Sequence, residues 1–377
     1  MLHLVMDEAI RRNRKVGILI IDLEAQYADT IRHVETMVEK YAAHIELHWV
    51  CAELLLRNAV SNFEPRWRCW ALEKRELWVR HMPVRASDLS QYDFYVPGME
   101  FEEFVELFAE WYSCGERCAN FIGIRSDESL HRYYVFARGD ANPELGFKWV
   151  TGVAGSAQLF NAYPIYDWRT RDIWIYHGKN PDRGYNAVYD KMNQAGVPLA
   201  DQRLCQPFGD EQRRGLWLYH VLEPETWYKL IVRVNGANSG ALYVTESGNV
   251  SGYSRISKPD GHTWQSFCLL LLSTMPTQTR EHYTGRFRRF IADWRRRGYT
   301  EMPNEAPLEL ELGARGEGWA PSWRRMCRVL LRNDYWCKGL GQAQPKSEAY
   351  QHFKELRAKR KLTAELEPKP AKRRGKK

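Results

Sequence analysis

No stretch of the 377 residues approaches the ~18 consecutive apolar positions that a membrane span requires, and the first ten residues already include Asp7 and Glu8. A secreted or membrane-bound protein is therefore not expected, and a cytoplasmic one is. The cysteines also lack a pattern. Cys51, Cys69, Cys114, Cys118, Cys205, Cys268, Cys327 and Cys337 are scattered over a long chain, so reduced thiols are expected and disulfides are not. Cys114 and Cys118 have no second pair to complete a zinc site, and no iron–sulfur cluster is expected. No internal repeat is found, and no Ser/His/Asp arrangement is inferred. Charge of one sign is missing from most of the chain. The formal net charge is +8, yet residues 351–377 hold eleven Lys/Arg against three Glu, which leaves residues 1–350 neutral. The basic character belongs to a tail and is no argument that the folded body binds nucleic acid.

Aromatic residues are plentiful, with 15 Trp, 20 Tyr and 14 Phe. Most are expected in the core, and the remainder are available to stack on bases. Residues 1–13 place Leu2, Val5, Ala9 and Ile10 at helical spacing, with no N-cap in front. The run Val16-Gly17-Ile18-Leu19-Ile20-Ile21 follows, apolar throughout, as expected of a parallel strand covered on both faces and ending at Asp22. A helix over about 29–43 and a strand over 45–50 continue a doubly wound α/β pattern, in which ligands bind at the carboxyl ends of the strands. Residues 62–99 read as an irregular, Trp-rich insertion. A helix over 101–112 with Phe104, Val105, Phe108 and Trp111 inward leads to a third strand over 119–124. Residues 163–166 read as a short extended segment, with Asp167 capping the helix that carries Asp172 and Trp174. Beyond Gly215, helices are expected over 223–234, 263–297, 322–335 and 347–361, with a possible hairpin over 243–253.

The segment Gly123-Ile124-Arg125-Ser126-Asp127-Glu128-Ser129-Leu130-His131-Arg132 resembles the Gly-x-Arg-x-x-Glu-Ser-x-x-Arg signature of phosphoadenosine phosphosulfate (PAPS) reductases. Pro164-Ile165-Tyr166-Asp167-Trp168 with Asp172-Ile173-Trp174 is similar to a second element of that family, in matching order and spacing. Asp22-Leu23-Glu24 with Thr30 is similar to its second strand and following helix. The runs 207–220 and 333–337 resemble a bacterial and phage subfamily with a helical extension of unknown function, some members of which are described as immunoglobulin-binding regulators. The resemblance implies a PP-loop α/β domain over 1–225, a helical region over 226–345 and a basic tail over 346–377. It also implies an adenine nucleotide, ATP or PAPS, as ligand. The superfamily's Ser-Gly-Gly-x-Asp-Ser loop, which cradles pyrophosphate, does not occur in the sequence, nor does the Glu-Cys-Gly-x-His motif of the thiol reductases. In the family that loop joins the first, central strand to the first helix, and Met1–Val5 resembles the inside of that helix. The functional protein is therefore expected to begin upstream of Met1.

A guanidinium at the end of a parallel strand offers paired donors to phosphate or sulfate, which makes Arg125, and with it Arg132, the candidate anion ligands. The alternative for Arg125 is a structural ion pair with Asp127 or Glu128. Glu128 and Ser129 are expected to orient the arginines. Asp22 is open to a ribose hydroxyl, to a phosphate-bound Mg²⁺ or to an ordinary turn role. Asp167 and Asp172 are expected to hold Trp168 and Trp174 in place. Cys205, near Arg203, is the one thiol whose surroundings favour reactivity. Three functions stay open: sulfonate or adenylation chemistry, ATP-dependent modification of a nucleic acid, and a regulatory protein without turnover that binds another protein. The tail, with Lys369, Lys372, Arg373, Arg374, Lys376 and Lys377, is expected to add salt-sensitive, sequence-independent nucleic-acid affinity, or to be a solvated end.

Overall fold

The computed structural model describes residues 1–128, 132–134, 146–147, 149–153, 156, 158–204, 206–209, 215–238, 256–306 and 320–366, with side chains to Lys359 except at Ala200. Helix α1 (Leu2–Arg11) opens the chain, and its buried face is His3, Met6 and Ala9, while Ile10 turns outward. Strand β1 (Val16–Ile21), helix α2 (Ala28–Lys40) and strand β2 (Ile45–Val50) follow, with β1 and β2 parallel and paired from Val16–Ile45 to Ile21–Val50. Every residue of β1 is only half-buried. Its apolar run was expected to be covered throughout, but among the described residues β1 pairs on one edge alone. Helix α3 (Phe101–Ser113) covers β1 through Tyr112, whose ring occupies the space a Cβ at position 17 would take, so a larger residue there has to displace the ring.

The insertion over 62–99 is more regular than its sequence suggests. Strand β3 (Leu54–Arg57) pairs antiparallel with β4 (Arg66–Cys69) and parallel with β5 (Met99–Glu100), in a small sheet of its own. Helix α3 (Phe101–Ser113) then buries Phe104, Leu107 and Phe108. The strand expected over 119–124 is β6 (Cys118–Phe121), and it joins β7 (Val150–Gly152) and β8 (Leu159–Ala162) in a third sheet. β6 and β8 run parallel from Cys118–Leu159 to Phe121–Ala162. The resemblance expects a central strand, and between β1 and β6 no strand pairs among the described residues. The extended segment expected over 163–166 is displaced: β8 precedes it, and 163–166 forms a turn.

Helix α4 (Thr170–Lys179) follows with no fully buried residue, and α5 (Val188–Gln194), α6 (Trp217–Leu222) and α7 (Pro224–Arg233) complete the first core. That core runs from Met6 to Ala237, with Tyr350 joining it from the C-terminal part of the chain, and includes Trp227, Leu230 and Val234. The single helix expected over 263–297 is two, α8 (Trp264–Ser273) and α9 (Thr277–Arg296), broken at Pro276, whose ring and missing N–H stop a helix. With α10 (Trp323–Leu331) they form a second core of Trp264, Phe267, Tyr283, Phe287, Phe290, Met326 and Leu330 among others. Helix α11 (Glu348–Leu366) returns to α3, where Lys354 and Arg357 meet Glu110, Lys346 meets Glu106, and Ser347 donates to Glu103. Burial raises the Glu106 carboxyl, but hydrogen bonds from Lys346 and Tyr350 outweigh it and hold the group below the usual range. The hairpin expected over 243–253 and residues 367–377 of the tail lie outside the described residues, whereas 346–366, expected as the start of that tail, hold α11 and its contacts with α3. No helix of the described residues is long and apolar enough to cross a membrane.

Candidate functional site

Parallel pairing of β6 with β8 sends both chain segments out at the same edge, so the two motifs, some forty residues apart, meet there. Ser126 N–H donates to the Tyr166 carbonyl at 2.8 Å. Asp127 Oδ2 accepts from the backbone N–H of Thr170 at 2.9 Å, satisfying one of the free donors at the start of α4. Arg125, its side chain 15% exposed, donates from Nε to Asp127 Oδ1 at 3.1 Å and from Nη2 to Thr170 Oγ1 at 3.2 Å, and lies 3.7 Å from Glu128 Oε1. Arg132 pairs with Glu128, and Arg203 Nη2 donates to the Glu128 carbonyl at 2.7 Å. The ion pairs foreseen as an alternative role for Arg125 are therefore present. They hold the guanidinium at the strand end, which fixes a cation without removing it from the surface.

The α4 start differs from its expected form. Arg169 is the N-cap residue, and its N–H is taken by Asp172 Oδ2 at 2.8 Å, while Asp167 is exposed and lies two residues before the N-cap. Asp172 is thus a helix-start residue, and Asp127 from the other motif supplies the second cap. Trp168 packs on Tyr176 at 5.8 Å, and Trp174 meets Tyr185 edge-on at 5.1 Å. Thr170 and Arg203 belong to this site and escaped sequence reasoning. Thr170 sits in an unspecified position of the second motif, and Arg203 is brought in from about 75 residues away. Ser129 and Cys205 lie outside the described residues.

Asp22 is placed elsewhere, in a buried network with no contact to the arginines of the strand edge. Both it and Glu24 are completely buried. Asp22 Oδ2 accepts from Trp49 Nε1 at 2.9 Å, and Oδ1 accepts from the Glu24 N–H at 3.0 Å and from Arg80. Glu24 Oε1 accepts from Arg233 Nε at 2.8 Å, and Oε2 from Arg233 Nη2 at 2.9 Å and from the Trp70 N–H at 2.7 Å. Arg80 stacks on Trp70 and Arg233 on Trp67, at 5.1 and 5.4 Å to the ring centres. The Trp-rich insertion thus walls off the end of β1. With both Asp22 oxygens engaged, the side chain does not fit the role of an Mg²⁺ ligand. Burial pushes the neighbouring Cys51 and Cys69 thiols up, which keeps them protonated and unreactive.

Residues 1–220 match the phosphoadenosine phosphosulfate reductase domain, and residues 196–314 match a domain of unknown function (DUF3440). Over 358 residues the chain is 41% identical to a protein of Escherichia coli (strain K12) called uncharacterized protein YbdN, a match covering 94% of this chain and 86% of that one. No solved structure matches. Both motifs that converge at the β6–β8 edge fall inside the first of these regions, and the chain belongs to the PAPS reductase family, with its PP-loop α/β fold followed by a helical region.

Proposed function

We propose that the chain binds an adenine nucleotide, ATP or PAPS, across the carboxyl ends of β6 and β8, with Arg125 and Arg132 on its anionic groups. The observation that carries this reading is the joining of the two motifs by Ser126–Tyr166 and Asp127–Thr170, which gathers Arg125, Arg132 and Arg203 beside the start of α4. Guanidinium groups suit phosphate and sulfate because their planar forks match two oxygens at once. Asp127, Glu128 and Thr170 serve as positioning residues that restrict the Arg125 rotamers before the ligand arrives. In this reading the nucleotide-binding unit extends to about residue 237, since Trp227, Leu230 and Val234 pack in its core.

Calorimetric titration of ATP and of PAPS into the protein and its Arg125→Ala variant tests the assignment. The variant is expected to bind at least about tenfold more weakly, a loss of about 1.4 kcal/mol. Equal affinity of the two proteins removes Arg125 from the site. Pyrophosphate release from ATP, and sulfite release from PAPS with a dithiol reductant, distinguish adenylation, reduction and binding without turnover.

A further inference from the structure

The neutrality of residues 1–350 is a cancellation. Residues 1–250 hold 28 Lys/Arg against 34 Asp/Glu, whereas residues 251–300 hold nine against three. That excess is concentrated on α9. One side of this helix packs Tyr283, Phe287, Phe290 and Trp294 into the second core, and the other presents Arg288, Arg289, Arg295 and Arg296, all exposed. The pairs 288/295 and 289/296 recur at seven residues, roughly 10.5 Å along the axis, on either side of the small residues Gly285 and Ala292. Arg296 pairs with Asp293, while Arg288, Arg289 and Arg295 have no hydrogen-bond or ion-pair partner among the described residues.

A solvated helix ordinarily interleaves charges of opposite sign. α11 does so by lying against the glutamates of α3; α9 does not. The helix dipole accounts for Arg295 and Arg296 in the last turn but not for Arg288 and Arg289, which lie two turns further in. Such a row of like charges is favourable when a polyanion covers it.

We propose that the outer face of α9 docks on the phosphate backbone of duplex DNA, independently of sequence. Single strands are held largely by stacking on aromatic side chains, and none is exposed on this face. The B-form major groove, about 12 Å wide, admits an α-helix, whereas the corresponding groove of duplex RNA is too narrow. At 20 residues α9 is about 30 Å long, close to one turn of duplex.

Fluorescence anisotropy of the full chain with a labelled duplex of arbitrary sequence tests this. Four released counterions give a logarithmic salt slope of about −3.6, so affinity is expected to fall roughly a hundredfold between about 50 and 200 mM salt. Changing Arg288, Arg289, Arg295 and Arg296 together to Gln is expected to weaken binding at least tenfold at the lower salt and flatten the slope. Replacing Lys372, Arg373, Arg374 and Lys376 by Ala removes equal charge from the tail and is expected to matter much less. An unchanged circular dichroism spectrum and thermal midpoint establish that the first variant is folded, and the pair Arg288→Gln with Arg289→Gln serves if it is not. The proposal is overturned if the tail variant alone loses binding, if the full chain fails to hold the duplex at the lower salt, or if an RNA duplex of equal length binds at least as tightly.

Discussion

Replacing Glu24 by Gln is expected to lower the free energy of unfolding by about 3–5 kcal/mol, because it leaves the Arg233 guanidinium charged and buried without its counter-ion. The two side chains are almost wholly inaccessible, at 0% and 2% exposure. They join the end of β1 to α7 across 209 residues of sequence. Glu24 also adopts a left-handed backbone with φ of 66°, a conformation costing about 1–2 kcal/mol that its four side-chain hydrogen bonds offset. Against a total stability of about 5–15 kcal/mol, either Glu24→Gln or Arg233→Met alone should shift the urea midpoint severely. The double variant should lose much less than the sum of the two, since removing both charges removes the penalty for stranding one. Strictly additive losses would show that the pair is not the element that closes this end of the domain.

Asn333→Ala is expected to cost about 2–3 kcal/mol and to loosen the helical region from the first core. Asn333 Nδ2 donates to the Ala59 carbonyl at 3.0 Å, and the Asn333 carbonyl accepts from Arg57 Nη2 at 2.8 Å. Arg57 also lies over the Tyr335 ring at 5.1 Å, and His282 stacks on the same ring at 3.8 Å. Alanine would strand a buried carbonyl and sit poorly at φ of 49°, a backbone region that Asn tolerates and other side chains rarely do. Asn333→Gly strands the same carbonyl but relieves the backbone, so it should cost less. Urea unfolding of the three proteins followed by tryptophan fluorescence measures the difference. Equal losses for Ala and Gly would show that the backbone conformation contributes nothing.

Both effects involve residues whose roles the sequence conceals. A carboxylate at a strand end reads the same whether it awaits a ligand or meets an arginine, which is why Asp22 invites a binding role. The motifs were legible because their residue types and spacings are fixed locally. Their meeting was implied only once both segments were placed on parallel neighbours. The continuous apolar run of β1 and the helical spacing of the apolar residues of α3 were readable for the same local reason. By contrast, β4 (Arg66-Trp67-Arg68-Cys69) has charged residues on its outer face and tryptophan inside, a weak period over four residues. The break at Pro276 was legible in principle, since the residue before proline disfavours helix, but the apolar run ahead of it masked the signal. Charge averaged over 350 residues hid the basic face of α9, which a count over successive fifties reveals.

Anion recognition by the arginines at the β6–β8 edge is tested most directly by residue-resolved chemical protection. Arginines are modified with phenylglyoxal, with and without saturating ATP or PAPS, and the rate at each position is followed by mass spectrometry. Nucleotide is expected to slow modification of Arg125 and Arg132 several-fold while leaving exposed arginines such as Arg75 unchanged. Identical rates at Arg125 and Arg132 with and without nucleotide, under conditions where calorimetry registers binding, would contradict the assignment and move the nucleotide to another part of the chain.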